Sequence, residues 1–420
     1  MYISGVSGGT LKMKNIEERL STPVRGECDV LVAGGGIAGI AAALAAARQG
    51  GKKVLLVENE FSLGGLATLG IVTIYLPLCD GCGHQVIYGI GEELLRLSVK
   101  YGIEDKNPAA WLEDGHTDEE RVKNRFEAQY NPNMFMLEAE KLLTDAGVKI
   151  LYGTKICSAL TVDGRVTAVI VENKSGRYGI EVKAAVDATG DADLSHCAGA
   201  KTENFAQGNI LAGWYYSLSG GVKKLNMLGF CDIPDDEKKD GKTIKTLTDR
   251  RFSGLSGEEL SEQMLLSHTS ILNNFKQKRA EAPDTEITLT ATIPQIRMTR
   301  RIVGSATMDT EDDRLHREDS VGLTGNWKVR GPIYEIPLGA IASVNIGNLF
   351  AAGRMISATD RMWDVTRVIP TCAATGEAAG IAAVLASEDE GNGGGGVNVR
   401  ELQKRLVRGG VKLHVGDVLS

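Results

Sequence analysis

The sequence predicts an α/β fold, a doubly wound and mostly parallel sheet with an inserted α+β region, and three observations carry that expectation. Near the N-terminus an apolar, β-branched run (Cys28 to Ala33) leads through glycines and an alanine-rich stretch to a second apolar run, Lys53 to Val57. An apolar run that ends in glycine then returns twice, at Val182 to Gly190 and at Asn348 to Gly353. Between these returns, residues 201–335 shift to mixed polar and aromatic composition, including Trp214-Tyr215-Tyr216. A chain of 420 residues exceeds what one hydrophobic core usually serves. The expected division is a discontinuous main domain, 28–200 with 336–420 and a variable excursion near 70–130, and a substrate-side cap at 201–335.

Each element follows from local chemistry. Ile37 to Gln49 is rich in alanine, the best helix former, and Gly50-Gly51 stops it. Lys53 to Val57 suits a parallel strand buried on both faces, which completes a βαβ unit. Residues 61–102 begin glycine-rich and end in a helix-like segment from Gly89, and 104–127 is a polar excursion. Asn131-Pro132 starts a helix carried by Met134 to Ala146 and ended by Gly147. Strands follow at 148–152, 158–162 and 166–172, the last two joined by a tight turn at Asp163-Gly164. Thr371 to Ala386 is a second small-residue helix, Gly391 to Gly396 a flexible linker, and Val399 to Val411 an amphipathic helix. No internal repeat is present.

Composition excludes several classes of partner. Net charge is -7 and no dense Lys/Arg block occurs, so nucleic acid is not an expected partner. The first 27 residues lack the apolar core of a secretory signal. The apolar run Ile37 to Ala47 is too short and alanine-rich for a membrane span, so a cytoplasmic protein with no membrane contact is expected. Seven scattered cysteines, an odd number, read mostly as reduced thiols. The 51 glycines exceed what packing requires and point to close backbone approach.

Gly34, Gly36 and Gly39, with the small Ala38 among them, have G-x-G-x-x-G spacing between the first strand and its helix. A helix N-terminus offers unpaired amides and a positive dipole end, so a pyrophosphate binds there when side chains stay out of the way. Glu58, 22 residues after Gly36, stands where an adenosine ribose would be held. FAD and NAD share this pattern, and a chance acid beside a glycine turn would produce it as well. Beyond Glu58 and Asn59 comes a second glycine pair, Gly64-Gly65, followed by Ala67 and Thr68.

That second pair resembles the FAD-dependent oxidoreductases of the glutathione-reductase-2 type, a broad bacterial group. Asp187 to Ala192 and Asn348 to Arg354 match the family in the same order, and Thr371 to Glu377 opens a helix after them. The resemblance implies a Rossmann-like FAD-binding domain. Thr189, Gly190 and Asp191 would lie near the dinucleotide, and Gly353 and Arg354 beside the ribityl phosphate. The helix bearing Ala373 and Ala374 would point its N-terminus at the flavin, where its dipole stabilises reduced flavin. The family often has an acid after the late glycine; here it is Arg354, so a ribityl-to-carboxylate contact is not carried over.

Candidates on the substrate side are fewer. Cys79-Asp80-Gly81-Cys82 is a C-x-x-C that reads as a redox pair, part of a metal site or unreactive loop thiols; two further ligands are lacking for a metal, and no metal is expected. His84 is a candidate acid/base or a surface histidine. Arg297 and Arg361 are candidate substrate contacts within an arginine-rich later half that suits an anion, although pairs such as Arg300-Arg301 also occur as plain surface charge. Ser267-His268-Thr269, a tripeptide used elsewhere for covalent flavin, is read as chance. The expected activity is hydride transfer between a small organic substrate, an anion being one candidate, and flavin N5, with an external electron acceptor or donor. An electron-transfer subunit without its own substrate pocket and a NAD(P)-dependent dehydrogenase are the alternatives.

Overall fold

Alternation along the first strand sets the layers. In Val24–Ala33, Val30 and Val32 join one apolar cluster while Leu31 and Ala33 join another, so both faces of the strand are covered. The computed structural model describes residues 16–101, 109–113, 115–123, 127–229, 247–388 and 397–419. Val54–Val57 and then Lys149–Leu151 extend the sheet in parallel on one side, and Gly176–Asp187 and then Leu349–Ala351 extend it on the other.

Gly176–Asp187 is long enough to have two neighbours along its far edge. Arg165–Asn173 pairs antiparallel with its first half, and Leu349–Ala351 pairs parallel with Ala185, Val186 and Asp187. Lys155–Val162 closes that edge as a hairpin whose turn residues, Asp163 (φ 49°) and Gly164 (φ 70°), are both left-handed.

The helices Ile37–Arg48, Ile90–Ser98, Pro132–Asp145 and Ile369–Glu388 all bury side chains in the first cluster. The second cluster is completed by Val169 and Val171 of the hairpin and Leu194 of the short helix Asp193–Cys197. The expected parallel α/β sheet is present, but among the described residues the long helices cover one face while hairpin side chains fill the other, so the sheet departs from the double winding expected. Asn131 starts the third of these helices by accepting from the Asn133 and Met134 amides, with Pro132 in its first turn and Gly147 (φ 82°) after its end.

Ile369–Glu388 packs directly on Ile37–Arg48. A Cβ at Gly376 would lie 2.3 Å from the Ala38 carbonyl oxygen, which accounts for the small residues on both helices. Ile369–Glu388 is long and apolar enough to cross a membrane, but nearly all of it is buried inside the protein. It is a core helix.

In the 201–335 region, Gly213–Ser219 pairs antiparallel with Val222–Leu228 and with Glu286–Thr290. The 25-residue helix Gly257–Glu281 backs this sheet, with Ser267 against Gly213. A hairpin of Ser320–Gly325 and Ile333–Pro337 returns Val321, Tyr334 and Ile336 to the main cluster. The final long helix, Val399–Arg408, buries Leu402 and Leu406 there too. Cys231, the charged stretch Asp235 to Asp240, the Gly391 to Gly396 linker and parts of the 104–127 excursion lie outside the described residues.

Candidate active site

All five parallel strands end at one cavity of about 520 Å³. Gly34 follows the first strand, Glu58 the second, Thr154 lies just beyond Lys149–Leu151, and Ala188 and Ala352 follow the remaining two; each lines the cavity. A crevice at the carboxyl ends of parallel strands is where an open α/β sheet binds its ligand.

Backbone supplies the floor. Gly34 has φ 97°, its amide donates to the Val57 carbonyl (2.7 Å), and a Cβ there would lie 2.5 Å from the Ala188 oxygen. Gly36 caps Ile37–Arg48 with no side-chain bond, so the first-turn amides keep no internal partner on the cavity side. The Gly64 amide donates to the Gly35 carbonyl (2.8 Å), which holds the second glycine pair against the first. The result is a backbone cradle at a helix N-terminus, a fit for the pyrophosphate of a dinucleotide.

Glu58 stands beside this cradle. Its Oε2 accepts from the Gly35 amide (2.5 Å) and its Oε1 from the Glu60 amide (2.8 Å), while burial pushes the carboxyl above the usual carboxylate range. At the neighbouring strand end, buried Asp187 accepts from the Thr189 amide and hydroxyl (3.1 and 2.7 Å) and the Ser195 amide (2.6 Å), which shapes the Thr189-Gly190-Asp191 turn. The Arg354 guanidinium covers Gly190 and pairs with Asp191 (2.6 Å).

The late helix differs in detail from the sequence expectation. It begins at Ile369, two residues earlier than read, with Pro370 tolerated in its first turn. Ile369 and Cys372 therefore line the cavity, whereas Ala373 and Ala374 do not; Ala373 is fully buried in the core. Burial pushes the Cys372 thiol up to about 12, which leaves it a small apolar wall group.

Gly34, Gly36, Ala38, Glu58, Asn59, Gly64, Gly65, Ala67, Thr189, Gly190, Asp191, Gly353, Arg354 and Arg297 are all brought to this cavity. Gly39 and Thr68 stand behind it: a Cβ at Gly39 would strike the Gly34 oxygen, and the Thr68 hydroxyl donates to the Leu63 carbonyl (2.6 Å).

His84 and Arg361 are exposed and do not line this cavity. Buried Asp80 accepts from His84 Nδ1 (2.8 Å) and from the Cys82 amide (2.7 Å), so the Cys79 to His84 loop is a turn organised around one carboxylate. Cys79 is buried, Cys82 is exposed, and neither lines the cavity. His268 sits within Gly257–Glu281, also outside the lining.

The opposite wall was not marked by any motif. Val72, Ile74 and Leu76 line the cavity together with Ile293, Pro294 and Ile296. Gln295 joins the two segments: its side chain donates to the Gly70 carbonyl and accepts from the Trp214 amide (2.9 Å), and the Thr292 amide donates to the Leu69 carbonyl (2.9 Å). Arg297, 4% exposed, lies over the Trp214 ring at 5.1 Å, with its backbone fixed by Asn209. Arg367 also lines the cavity and is paired with buried Asp364, whose other oxygen meets Lys328 (2.6 Å). Arg300 and Arg301 pair instead with Asp193, Asp360 and Glu203.

Such a cradle, with a carboxylate at the second strand end, defines a dinucleotide-binding α/β protein. The chain matches the FAD dependent oxidoreductase family over residues 29–213 and 218–406, well over half its length, and it belongs to that family. It is an FAD-dependent oxidoreductase, and the NAD(P)-only alternative is set aside.

Among solved structures, it is similar to a geranylgeranyl bacteriochlorophyll reductase-like protein from Thermoplasma acidophilum (14% identity, 92% of this chain and 84% of that chain, TM-score 0.46). A chain of the Mycobacterium smegmatis Sdh1 complex matches at 13% identity over 91% of this chain and 72% of that chain, with TM-score 0.47. Glycine oxidase from Bacillus cereus matches at 13% over 87% and 96%, with TM-score 0.39. Likenesses at this level say nothing about substrate.

Proposed function

We propose that this enzyme transfers a hydride between a small organic anion and flavin N5, with FAD held non-covalently along the strand ends. The observation that carries the reading is the make-up of the cavity at the strand ends. One wall is a glycine cradle with Glu58, and the other is apolar and carries Arg297. Bound FAD supplies the two-electron redox chemistry. Glu58 accepts from ribose hydroxyls, and the Gly36 and Gly64-Gly65 backbone receives the pyrophosphate at the helix N-terminus. The first turn of Ile369–Glu388 borders the cavity, so its positive end would favour negative charge on the reducible ring of bound FAD.

Arg297 holds the substrate's carboxylate through its fork, and Trp214 beneath it fixes the guanidinium plane. Val72, Ile74, Leu76, Ile293 and Ile296 exclude water around the carbon that reacts. An external electron acceptor or donor closes the cycle. A subunit that only relays electrons would need neither the buried guanidinium nor the apolar wall.

The test is anaerobic mixing of the holoenzyme with small carboxylic acids and with their neutral amides. Bleaching of the visible flavin band by an acid but not by its amide, with a primary deuterium isotope effect at the donor carbon, supports the reading. Equal bleaching by both would overturn the anionic substrate, and reduction only by one-electron donors would favour the relay subunit.

A further inference from the structure

Away from the cofactor cavity, two imidazoles and one carboxylate converge. We propose that His316, Glu335 and His414 form a binding site for a divalent transition-metal ion of the zinc type. Their ligand atoms all lie within 4.8 Å of one another. His414 Nδ1 is 3.0 Å and His316 Nδ1 3.5 Å from the same carboxylate oxygen, Glu335 Oε2. Donors at about 2.0–2.1 Å from a tetrahedral ion lie roughly 3.3 Å apart, so the two separations bracket the value an ion would impose. Imidazole with carboxylate is a donor set that suits zinc and its neighbours over magnesium or calcium.

The three ligands come from separate parts of the chain, and each is held. Glu335, in the strand Ile333–Pro337, is buried, and its oxygens accept from the Val415 amide (3.0 Å) and the Arg317 amide (2.7 Å). His414 sits in a turn that Asp417 closes by accepting from the Leu413 and His414 amides, each at 3.0 Å. His316 Nε2 is 3.3 Å from Glu318 Oε1, the outer carboxylate that commonly orients a metal-binding imidazole. The competing cation nearby, the Arg317 guanidinium, is occupied with Asp312 (3.1 Å). His316 is exposed, so a remaining coordination position opens to water.

An ion there would fasten the C-terminal segment to the hairpin of Ser320–Gly325 and Ile333–Pro337. That junction already carries the Ser320 hydroxyl bond to the Leu413 carbonyl (2.5 Å). Through Thr324, whose hydroxyl meets that of Thr371 at 2.7 Å, the same hairpin braces the first turn of Ile369–Glu388. The ion would thus join two segments behind the cofactor cavity while keeping one position open to water, and the site stands on geometry independent of the substrate reading.

The test uses full-length holoenzyme stripped with a chelator, dialysed and titrated with Zn²⁺ against a competing indicator, with Co²⁺ difference spectra as a second readout. One equivalent per chain is expected, with d–d bands of a nitrogen- and oxygen-ligated ion. His316→Ala and His414→Ala should each weaken binding by at least the roughly 100-fold that loss of an outer-sphere partner can cost, with the flavin spectrum unchanged. His316→Ala carries the test if His414→Ala does not fold, because that ring is exposed. Zinc held equally well by the variants would assign the ion to free thiols or the surface and overturn the site, as would no stoichiometric binding by the unsubstituted protein.

Discussion

Arg354 Nη2 lies 2.6 Å from Asp191 Oδ1, and both residues line the cofactor cavity. The cation that follows the late glycine thus takes its counter-ion from the neighbouring strand end, where the Thr299 hydroxyl donates to the same oxygen (2.7 Å). Arg354→Ala leaves the Asp191 charge uncompensated beside an anionic cofactor and should weaken FAD binding about tenfold, or about 1.4 kcal/mol. Removing Asp191 as well should restore most of that loss, giving a coupling of about 1 kcal/mol in a double-mutant cycle. Equilibrium FAD titration of the four proteins measures it, and strictly additive losses would contradict the pairing.

Glu58 is prearranged by the Gly35 and Glu60 amides, so its truncation should be felt by the cofactor more than by the fold. Glu58→Ala should weaken FAD by about 10–100-fold, the range for loss of hydrogen bonds to a charged group. Quenching of FAD fluorescence on titration of the apoprotein reads this directly; unchanged retention would remove the ribose contact.

Arg297 is the cavity's buried guanidinium on the apolar wall. Arg297→Met keeps much of the packing on Trp214 and removes the fork. KM for a carboxylate substrate should rise about 10–100-fold with a much smaller change in kcat, as expected for lost uniform binding. A fall in kcat at constant KM would instead place Arg297 at the reacting atoms.

Glu377 ties the helix Ile369–Glu388 to Ile90–Ser98 by accepting from the Ile90 amide (2.8 Å), and burial raises its carboxyl from 4.5 to about 7. Between these values the folded chain keeps a proton that the unfolded chain has lost. Stability is thus greatest below pH 4.5 for this group and falls as pH rises toward 7, by about 3 kcal/mol in all. Glu377→Gln retains an acceptor without the charge, and urea unfolding at several pH values should show it more stable than the parent at pH 8 and nearly equal near pH 4.5. A parallel shift at every pH would contradict the assignment.

What could be read from sequence was what local backbone determines. Gly34, Gly36, Glu58 and the Gly64-Gly65 pair lie within one short stretch, and the left-handed turn at Asp163 and Gly164 is equally local. The apolar wall was hidden because Ile293, Pro294 and Ile296 are placed by Gln295 and Asn209, through bonds to residues far away in the chain. His84 looked chemical because a histidine after C-x-x-C is chemically suggestive. The spacing of Asp80 to the Cys82 amide and His84 ring was the available sign of a closed turn. Glu335 and His414 are 79 residues apart, so only the fold brings them together.

The most direct test of the cofactor placement is FAD titration of Gly36→Ala apoprotein beside its thermal melt. Gly36 has φ -66°, which any residue adopts, and a Cβ there meets no protein atom within 4 Å because it points into the cavity. The apoprotein should therefore melt within roughly 2–4 °C of the parent while FAD affinity falls at least about tenfold. Unchanged FAD affinity in a normally folded Gly36→Ala protein would contradict the account, because the pyrophosphate would then lie elsewhere.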